Sequence, residues 1–494
     1  MAKLTKEQQK IVGADGKLLA VTAFAGTGKT TSLCHFANAR GGDKILYLAF
    51  NKSMVVQAQQ AFLLSSNVEA RTIHSLAFKF ERQNIKSKLS ELRIFDLKTI
   101  CQRHGLYSMK VTGFDLIIRL FNEYLLSACL SIEEFVKDLA PDIVIELSLH
   151  KVSKTTATGI MNATWKAIGE GALSTPHNYY LKRFQLSRCQ LGYDWIMVDE
   201  AQDINDCVID IVLNQNCKII MVGDPYQQIY GWNGASNAIA KVSAKGADSY
   251  YLTQSFRCPQ KNEKMINSYL QLLKSPAGFK GCKKNDEVRT QNCAFLARTN
   301  VGLFEAAVLY HKKYDLFYNG GFERYEFESL LDLHYLKRGQ DDAIKNFFIK
   351  SFSDYEELKE YVEQSTISPL KSKLALVEKY GAEIPDLYES LKSHQAGSES
   401  KSELIMSTTH KAKGLEYKDV TLADDFINLK EMTIIAQYSE ASNVVTISRE
   451  EFHLLYVAIT RALGDVYMQG DYEITPELMK SFEELVREKR IEYF

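Results

Sequence analysis

The chain has 494 residues, more than one hydrophobic core ordinarily accommodates, so several domains are expected. Its hydrophobic content of 46% with only 8 prolines favours a folded chain, and its net charge of −1 excludes a global positive field that would attract nucleic acid. No apolar run reaches membrane-spanning length and the first residues lack the apolar core of a signal peptide, so we expect a soluble, cytoplasmic protein without a membrane partner, associated with the nucleoid if it is bacterial.

The first strong local signal is a strand, a loop and a helix near the start of the chain. An apolar run from Leu18 to Val21 predicts a buried strand, and the segment from Lys29 to Ala39 predicts a helix. The small-residue loop between them would direct backbone N–H groups at an anion, with Lys29 adding a positive charge and Thr30 a hydroxyl for Mg²⁺. The usual pattern begins with glycine where this chain has Ala23, so a merely glycine-rich turn is the alternative. The predicted nucleotide contacts in this loop are Ala25, Gly26, Thr27, Gly28, Lys29, Thr30 and Thr31.

The segments around this loop predict an α/β domain. Gln8 precedes the loop, and its amide can read a donor and an acceptor on an adenine edge; a solvated N-terminal helix is the alternative. Further strands are predicted at Lys44–Phe50 and Val68–Thr72, with a helix between them that ends near Leu64. Strands that alternate with helices at this spacing predict a parallel, doubly wound sheet.

From about Phe78 to Lys182 the strand pattern disappears, and Phe114–Cys129 and Ile132–Leu139 have helical periodicity. We interpret this segment as a helical insertion. Its basic residues fit a solvated surface as well as a face that binds a nucleic-acid backbone; they include Lys151, Lys154, Lys166, Lys182 and Arg183.

The sheet pattern returns with an apolar strand that ends at Asp199-Glu200. Beside a phosphate loop, Asp199 would hold Mg²⁺ and Glu200 would orient and deprotonate the attacking water, although an acidic turn after a strand is the alternative. A further strand, Cys217–Val222, leads to Gln227, which could sense the γ-phosphate. Trp232 offers a stacking plane for an unpaired base, but a lone tryptophan is more often part of a core.

The phosphate loop is followed, in chain order, by a series of further motifs: Val198-Asp-Glu-Ala-Gln-Asp203, Gly223-Asp-Pro-Tyr-Gln-Gln-Ile-Tyr-Gly-Trp232, Leu252-Thr-Gln-Ser-Phe-Arg257, Thr409-His-Lys-Ala-Lys-Gly-Leu-Glu416 and Leu455-Tyr-Val-Ala-Ile-Thr-Arg-Ala462. In this order the motifs resemble superfamily 1A helicases of the UvrD/Rep group, and within it the helicase portion of the F-box DNA helicases. The resemblance extends from about Leu4 to Met468, and no segment predicts an F-box.

The resemblance implies roles for residues in the second half of the chain. Phe256 would stack on adenine, Glu416 would contact the ribose, and Arg257 and Arg461 would act on the phosphates as arginine fingers. A surface salt bridge is the alternative for either arginine alone. The DNA contacts implied are Phe50, Asn51, His74, Trp232 and His410.

The same resemblance implies two RecA-like domains, each with a helical insertion. Domain 1A would comprise residues 1–78 and 183–252, insertion 1B residues 79–182, domain 2A residues 253–317 and 403–494, and insertion 2B residues 318–402. Helices are predicted in 2B at Leu330–Arg338, Asp341–Ser351 and Tyr355–Val362. A short strand would end at Met468 and a terminal helix at Phe494.

These features predict an ATP- and Mg²⁺-dependent motor that moves 3′ to 5′ on single-stranded DNA and on 3′-tailed duplexes, in DNA repair, recombination control or phage defence. Two alternatives remain: a translocase that strips recombinase filaments, and a DNA-sensing ATPase that serves a nuclease or effector partner. UvrD-type enzymes carry an aromatic hairpin that splits the duplex, but here the chain between Met468 and Ile474 is short, with Tyr472 the sole aromatic candidate. We therefore expect modest unwinding.

Overall fold

A computed structural model of the chain describes residues 4–62, 66–107, 111–231, 234–282, 292–364, 370–439 and 443–493. The chain divides into two compact units, Met1–Leu252 and Thr253–Phe494. Both units are α/β structures with parallel sheets, which confirms the predicted fold class. In the described part of the chain, no helix is long and apolar enough to span a membrane.

The first unit is organised around a six-stranded sheet in which all neighbouring strands are parallel. Its strands are β1 (Leu18–Ala23), β2 (Ile45–Ala49), β3 (Val68–Thr72), β4 (Trp195–Val198), β5 (Lys218–Gly223) and β6 (Asp248–Leu252). They lie in the order β3-β2-β4-β5-β1-β6. Every residue of β2 and β4 is buried, as expected for parallel strands covered on both faces. The strands predicted from apolar runs in this half of the chain are confirmed.

Helices flank this sheet and form the insertion between β3 and β4. Those described are α1 (Lys6–Val12), α2 (Lys29–Asn38), α3 (Lys52–Ala61), α4 (Ile73–Glu81), α5 (Ile94–Arg103), α6 (Val111–Leu126), α7 (Ile132–Lys137), α8 (Pro141–Leu149), α9 (Lys154–Glu170), α10 (His177–Leu186), α11 (Asp206–Leu213) and α12 (Ala238–Ala244). Where the insertion is described, α5 to α10 have no strand among them and share a hydrophobic core that includes Leu97, Phe121 and Ile160. The prediction of a helical segment is confirmed.

The insertion joins the sheet through α4 and α10, which pack against each other and which we call the two-helix stem. Arg183 Nε on α10 donates to Glu81 Oε2 on α4 at 2.8 Å. The rings of Phe80 and Phe184 stack across the same pair of helices with their centroids 5.2 Å apart. The chain therefore enters and leaves the insertion through two helices that lie side by side.

Lys182 corrects one expectation about the basic residues of the insertion, because it is neither solvated nor available to a nucleic-acid backbone. The side chain is fully buried, and its ammonium donates to the carbonyl oxygens of Ser127 at 3.0 Å and Cys129 at 2.5 Å, just beyond the end of α6. The ammonium also lies 4.5 Å from the centroid of the Tyr124 ring. Burial lowers the pKa of Lys182, and its role is to satisfy backbone carbonyls where α6 ends.

The second unit contains a five-stranded parallel sheet with the order β10-β11-β9-β12-β14, together with the parallel pairs β7–β8 and β13–β15. These strands are β7 (Gln254–Pro259), β8 (Lys280–Cys282), β9 (Cys293–Ala297), β10 (Leu316–Tyr318), β11 (Leu404–Thr408), β12 (Val420–Leu422), β13 (Val445–Ile447), β14 (Val466–Met468) and β15 (Ile491–Tyr493). Its described helices are α13 (Glu263–Leu272), α14 (Asn300–Tyr310), α15 (Glu328–Lys337), α16 (Phe347–Lys350), α17 (Tyr355–Gln364), α18 (Leu370–Tyr380), α19 (Ile384–Ser393), α20 (Thr409–Ala412), α21 (Leu429–Tyr438), α22 (Arg449–Ile459) and α23 (Pro476–Arg487).

One predicted helix of the second unit, Asp341–Ser351, is wrong. The structure has a 3₁₀ turn at Asp341–Ala343 and then the separate short helix α16. The Asp332 carboxylate accepts hydrogen bonds from the backbone N–H groups of Lys345 at 2.9 Å and Asn346 at 3.1 Å. These amides are therefore not available to a continuous helix, and the Asn346 side chain caps α16 instead.

The predicted terminal helix also differs from the structure. The helix α23 ends at Arg487, and the chain then forms β15, which pairs in parallel with β13. The backbone N–H of Arg490 bonds to the carbonyl oxygen of Leu485 where the helix ends. The pairing with β13 is a long-range contact that the local helical pattern does not indicate.

Candidate functional site

The loop after β1 turns sharply into the first residue of α2. Gly26 and Gly28 have φ angles of 70° and 78°, in the left-handed region that favours glycine. Thr27 Oγ1 donates to a backbone carbonyl of the loop at 2.8 Å and fixes the turn. Lys29 therefore begins α2 at the carboxyl edge of the sheet, where helix N–H groups favour a phosphate. Ala23 still belongs to β1, and extended backbone accepts alanine as readily as glycine.

The other loop residues predicted to contact nucleotide differ in exposure. Ala25 is buried, Thr30 is half-buried, and Thr31 is exposed on the first turn of α2. Gln8 is buried at the start of the chain, where its amide oxygen accepts from the Thr5 backbone N–H at 2.9 Å. This bond is half of a capping box on α1, so the Gln8 amide oxygen has a structural role besides the predicted contact with adenine.

Lys29 and Glu200, which are 171 positions apart, form an ion pair at the edge of the sheet. Lys29 Nζ lies 2.7 Å from Glu200 Oε2. Burial opposes the positive charge of Lys29, but the nearby carboxylates of Glu200, Asp199 and Asp224 outweigh it and raise the pKa of Lys29. The lysine predicted to bind phosphate and the glutamate predicted to activate water are thus in direct contact.

Asp199 lies at the end of β4 and is almost completely buried. Its Oδ2 accepts from the Tyr47 hydroxyl at 2.6 Å, and its Oδ1 accepts from the Glu200 backbone N–H at 2.9 Å. Burial and then the negative charge of Glu200 raise the pKa of Asp199. A carboxylate in such surroundings and the Thr30 hydroxyl are hard oxygen donors that fit Mg²⁺.

Gln227, predicted to sense the γ-phosphate, is fixed by a network that begins at Glu200. Gln202 Nε2 donates to Glu200 Oε2 at 2.7 Å, and Gln202 Oε1 accepts from the Asp224 backbone N–H at 3.0 Å. Asp224 Oδ2 in turn accepts from Gln227 Nε2 at 2.7 Å. Glu200 adopts a left-handed backbone with φ of 51°, a strained conformation for a residue other than glycine. Sequence reasoning missed Gln202 and Asp224, although both lie within the quoted motifs.

In the second unit, two residues predicted to contact different parts of the nucleotide are paired with each other. Arg257 Nε donates to Glu416 Oε1 at 2.6 Å. Phe256 precedes Arg257 on β7 and is 46% exposed. The pair brings together the motifs that contain Arg257 and Glu416, which are 159 positions apart.

Arg461 is buried where α22 ends. Its Nε donates to the Val457 carbonyl oxygen at 3.0 Å, and one terminal nitrogen donates to Thr460 Oγ1 at 3.2 Å. A second terminal nitrogen lies 3.4 Å from the Leu415 carbonyl oxygen. The guanidinium is therefore oriented by its own helix and by the segment that also carries Glu416.

Two aromatic rings, the exposed Phe50 and the half-buried Tyr230, stack on each other in the first unit. Phe50 follows β2 and Tyr230 follows β5; their ring centroids are 5.9 Å apart with an angle of 11° between the planes. Phe50 was predicted to contact DNA, whereas Tyr230 was missed although it stands in the motif that ends at Trp232. Trp232 itself lies outside the described residues.

The remaining residues predicted to contact DNA have local partners. Asn51 Oδ1 accepts from the Met54 backbone N–H at 3.0 Å and caps α3. His74 Nε2 hydrogen bonds with Asn178 Oδ1 at 3.2 Å across the two-helix stem, and burial lowers the pKa of His74. His410 is half-buried in the short helix α20. The Phe50–Tyr230 stack itself contains none of these three side chains.

Tyr472, the sole aromatic candidate for a duplex-splitting wedge, is a core residue. It is 4% exposed, its hydroxyl donates to the Ala423 carbonyl oxygen at 2.7 Å, and it accepts from the Phe426 backbone N–H at 3.2 Å. A ring held in this way cannot insert between base pairs.

Tyr472→Phe should therefore reduce stability rather than strand separation. Removing the hydroxyl leaves a buried carbonyl and a buried N–H unpaired, at a cost of about 1–3 kcal/mol. Thermal unfolding of the variant measures this loss, and Tyr467→Phe, at an exposed position on β14, is the matched control that should unfold like the original chain. A Tyr472→Phe variant with unchanged stability would contradict this structural role of the hydroxyl.

Comparison with known proteins places this site in a family context. Residues 4–245 match the family described as UvrD/REP helicase N-terminal domain. F-box DNA helicase 1 of Gallus gallus is 31% identical over 95% of this chain, which covers 49% of that protein. F-box DNA helicase protein 1 of Schizosaccharomyces pombe is 27% identical over 93% of this chain and 56% of its own length. A probable DNA helicase of Mycoplasma pneumoniae is 24% identical over 53% of the chain and 54% of its own length. The chain thus spans about half the length of the curated relatives it matches.

Proposed function

The chain is homologous to the UvrD/REP helicases and to the F-box DNA helicases, as its motifs predict, and on this basis we propose that it is an ATP-driven motor that moves 3′ to 5′ along single-stranded DNA. The observation that carries the proposal is the contact between Lys29 and Glu200 at 2.7 Å, beside Asp199, at the carboxyl edge of a parallel sheet. That edge is where open α/β sheets bind ligands.

We propose that ATP is bound by the loop after β1 and cleaved with Glu200 as the general base. Lys29 would exchange its contact with Glu200 for the β- and γ-phosphates, which would leave the Glu200 carboxylate able to orient a water molecule and accept its proton. Thr30 and Asp199 would hold Mg²⁺, which neutralises charge on the phosphate oxygens. Gln227 would contact the γ-phosphate, and Gln8 would contact the adenine edge.

The second unit would supply groups that act on the same nucleotide. Arg257 would leave Glu416 and bind the γ-phosphate, while Glu416 would contact the ribose and Phe256 would stack on adenine. Arg461 would place a second guanidinium on the transferring phosphoryl group, where charge develops in the transition state. The hydrogen bonds that orient Arg461 support its part of this proposal, because a preorganised charge loses little energy to rearrangement.

Single-stranded DNA would be bound by stacking on aromatic rings. The exposed Phe50 and the half-buried Tyr230, whose rings stack on each other, would form one platform, and Trp232 would offer a plane to a further base. Asn51, His74 and His410 would add polar contacts to the strand. ATP binding and hydrolysis would release and rebind the bases in turn, so that the motor steps along the strand.

A second candidate function is a translocase that displaces bound proteins, such as recombinase filaments, or that drives a nuclease or effector partner, with little unwinding of its own. The observation that favours it is the burial of Tyr472 at the position where a wedge was sought. Under this proposal 3′-tailed duplexes bind but only short ones are opened.

Streptavidin displacement, measured beside duplex unwinding, tests both the direction of movement and whether the protein mainly displaces bound proteins or separates strands. With ATP, the protein should release streptavidin from the 5′ end of a biotinylated single strand much faster than from the 3′ end, and it should unwind a long 3′-tailed duplex poorly. Glu200→Gln is the control that should bind the strand without displacing streptavidin. Faster release from the 3′ end would contradict the proposed polarity, and processive unwinding by the chain alone would favour the helicase over the translocase.

A further inference from the structure

Gln202 lies in a fully buried 3₁₀ turn, Ala201–Asp203, directly after the residues predicted to catalyse hydrolysis. Its amide is bound at both ends. The nitrogen donates to Glu200 Oε2 at 2.7 Å, and the oxygen accepts from the Asp224 backbone N–H at 3.0 Å. The nitrogen also lies 3.3 Å from Asp203 Oδ2. Because both ends are bound, the amide cannot turn without breaking a hydrogen bond on each side.

The contacts continue beyond Asp224 towards the Phe50–Tyr230 stack. The Asp224 carboxylate accepts from the Tyr226 backbone N–H at 3.1 Å and from Gln227 Nε2 at 2.7 Å, which fixes the 3₁₀ turn Pro225–Gln227. Tyr230 follows three residues later and stacks on Phe50. A short series of hydrogen bonds therefore joins the Glu200 carboxylate to the segment that carries Tyr230.

The backbone beside Gln202 is adapted to this arrangement. A Cβ on Gly223 would overlap the Gln202 amide oxygen and would crowd the backbone nitrogens of Ala201 and Gln202. Glycine at this position lets the amide approach β5 closely enough to reach Asp224. The close contact between the Gln202 amide and Gly223 thus depends on glycine at this position.

The same Glu200 oxygen, Oε2, receives both Lys29 Nζ and Gln202 Nε2, each at 2.7 Å. A carboxylate oxygen that already holds two donors is poorly placed to accept a third from water. When Lys29 turns to phosphate, the hydrogen bond from Gln202 would still orient this oxygen. A displacement of Asp224 would move Gln202 and, through it, Glu200.

We propose that Gln202 is a positioning residue that couples strand binding at Phe50 and Tyr230 to the orientation of Glu200. A base that stacks on Tyr230 shifts the segment from Asp224 to Tyr230, and the Gln202 amide transmits this shift to the catalytic carboxylate. DNA-stimulated hydrolysis then depends on an amide of this length at this position. The inference rests on the proposed function, since it needs a DNA-stimulated ATPase.

The test compares steady-state ATP hydrolysis by the full chain with and without saturating oligo(dT). In Gln202→Met, which has similar length but no polar ends, the ratio of stimulated to basal kcat should fall at least about tenfold, while the KM for ATP and the Kd for oligo(dT) change less than about threefold. Gln202→Asn keeps an amide but is one methylene too short to reach both partners, so it should lose stimulation as well. Full stimulation in either folded variant would overturn the proposal.

Gly223→Ala is the second route to the same result, in case Gln202 variants fold poorly. It retains every side chain of the series but displaces the Gln202 amide, so it should also lose stimulation. A Gly223→Ala variant that folds and is stimulated as strongly as the original chain would overturn the proposal.

A double-mutant cycle with Tyr230→Ala separates coupling from simple damage. If both residues act in one series, Gln202→Met should reduce the stimulation ratio little further in a Tyr230→Ala background. Multiplied losses would show independent effects and overturn the proposal. If the original chain itself is not stimulated by DNA, the proposed function fails and this inference fails with it; if the original chain and the Gln202 variants are stimulated equally, only this inference fails.

Discussion

Replacement of Glu200 by glutamine is expected to slow ATP hydrolysis by about 10²–10⁴-fold while ATP and DNA binding are retained. Glutamine has the same shape but cannot accept the proton of the attacking water. It also removes the negative charge that now holds Lys29 at 2.7 Å, so the lysine becomes more available to phosphate and ATP affinity should not fall. Single-turnover hydrolysis and equilibrium binding of a fluorescent ATP analogue measure the two effects separately.

Two further variants make this result specific. Lys29→Ala should weaken nucleotide binding as well as hydrolysis, because it removes the positive charge from the phosphate loop. Glu170→Gln is the matched control, since Glu170 is an exposed residue at the end of α9 whose contact with Lys166 at 3.8 Å is a weak surface pair. A Glu200→Gln variant that hydrolyses ATP at the original rate would refute Glu200 as the general base.

The second large effect is expected at Arg257. If this guanidinium stabilises the transferring phosphoryl group, Arg257→Ala should lower kcat by about 10³-fold or more, with a much smaller change in ATP affinity. Arg257→Lys should restore little, because an ammonium lacks the planar fork that spans two phosphate oxygens. Steady-state kinetics over a range of ATP concentrations give kcat and KM for each variant.

A variant of Glu416, the ion-pair partner of Arg257, and a control at Arg487 complete the test of Arg257. Arg487→Ala removes an exposed arginine from α23 and should leave kcat unchanged. Glu416→Gln removes the carboxylate that pairs with Arg257 at 2.6 Å, and it should alter ATP affinity more than kcat if Glu416 contacts the ribose. Retention of the original kcat in Arg257→Lys would mean that Arg257 is only one half of a structural ion pair.

The elements that the sequence predicts correctly are those whose cause is local. An apolar run followed by a glycine loop determines β1 and the start of α2, because burial, turn geometry and helix initiation all act within a few residues. The interruption of the helix predicted at Asp341–Ser351 comes instead from Asp332, which takes two backbone N–H groups from a segment 13 and 14 positions away. Local periodicity contains no information about such a competitor.

The candidate site divides in the same way. Lys29, Asp199 and Glu200 could be predicted because each stands at a fixed point in a strand-to-loop pattern. Their pairing could not, nor could the contact between Phe50 and Tyr230, because it depends on how strands distant in sequence lie in one sheet. Lys182 shows the converse error: a lysine in a polar helix predicts solvent exposure, yet here the ammonium caps the end of a neighbouring helix.

The two-helix stem has a consequence for how such proteins diversify. The insertion has its own hydrophobic core, and the chain connects it to the sheet through α4 and α10, whose Glu81–Arg183 and Phe80–Phe184 contacts close the stem. Because β3 is an edge strand, no ladder of the sheet must break when the chain between these helices lengthens, shortens or is exchanged. The stem therefore separates two evolutionary constraints: the residues that we propose to cleave ATP are kept on the side of the sheet, while the part beyond the stem can be remodelled, and the same boundary is the natural place to graft a foreign domain.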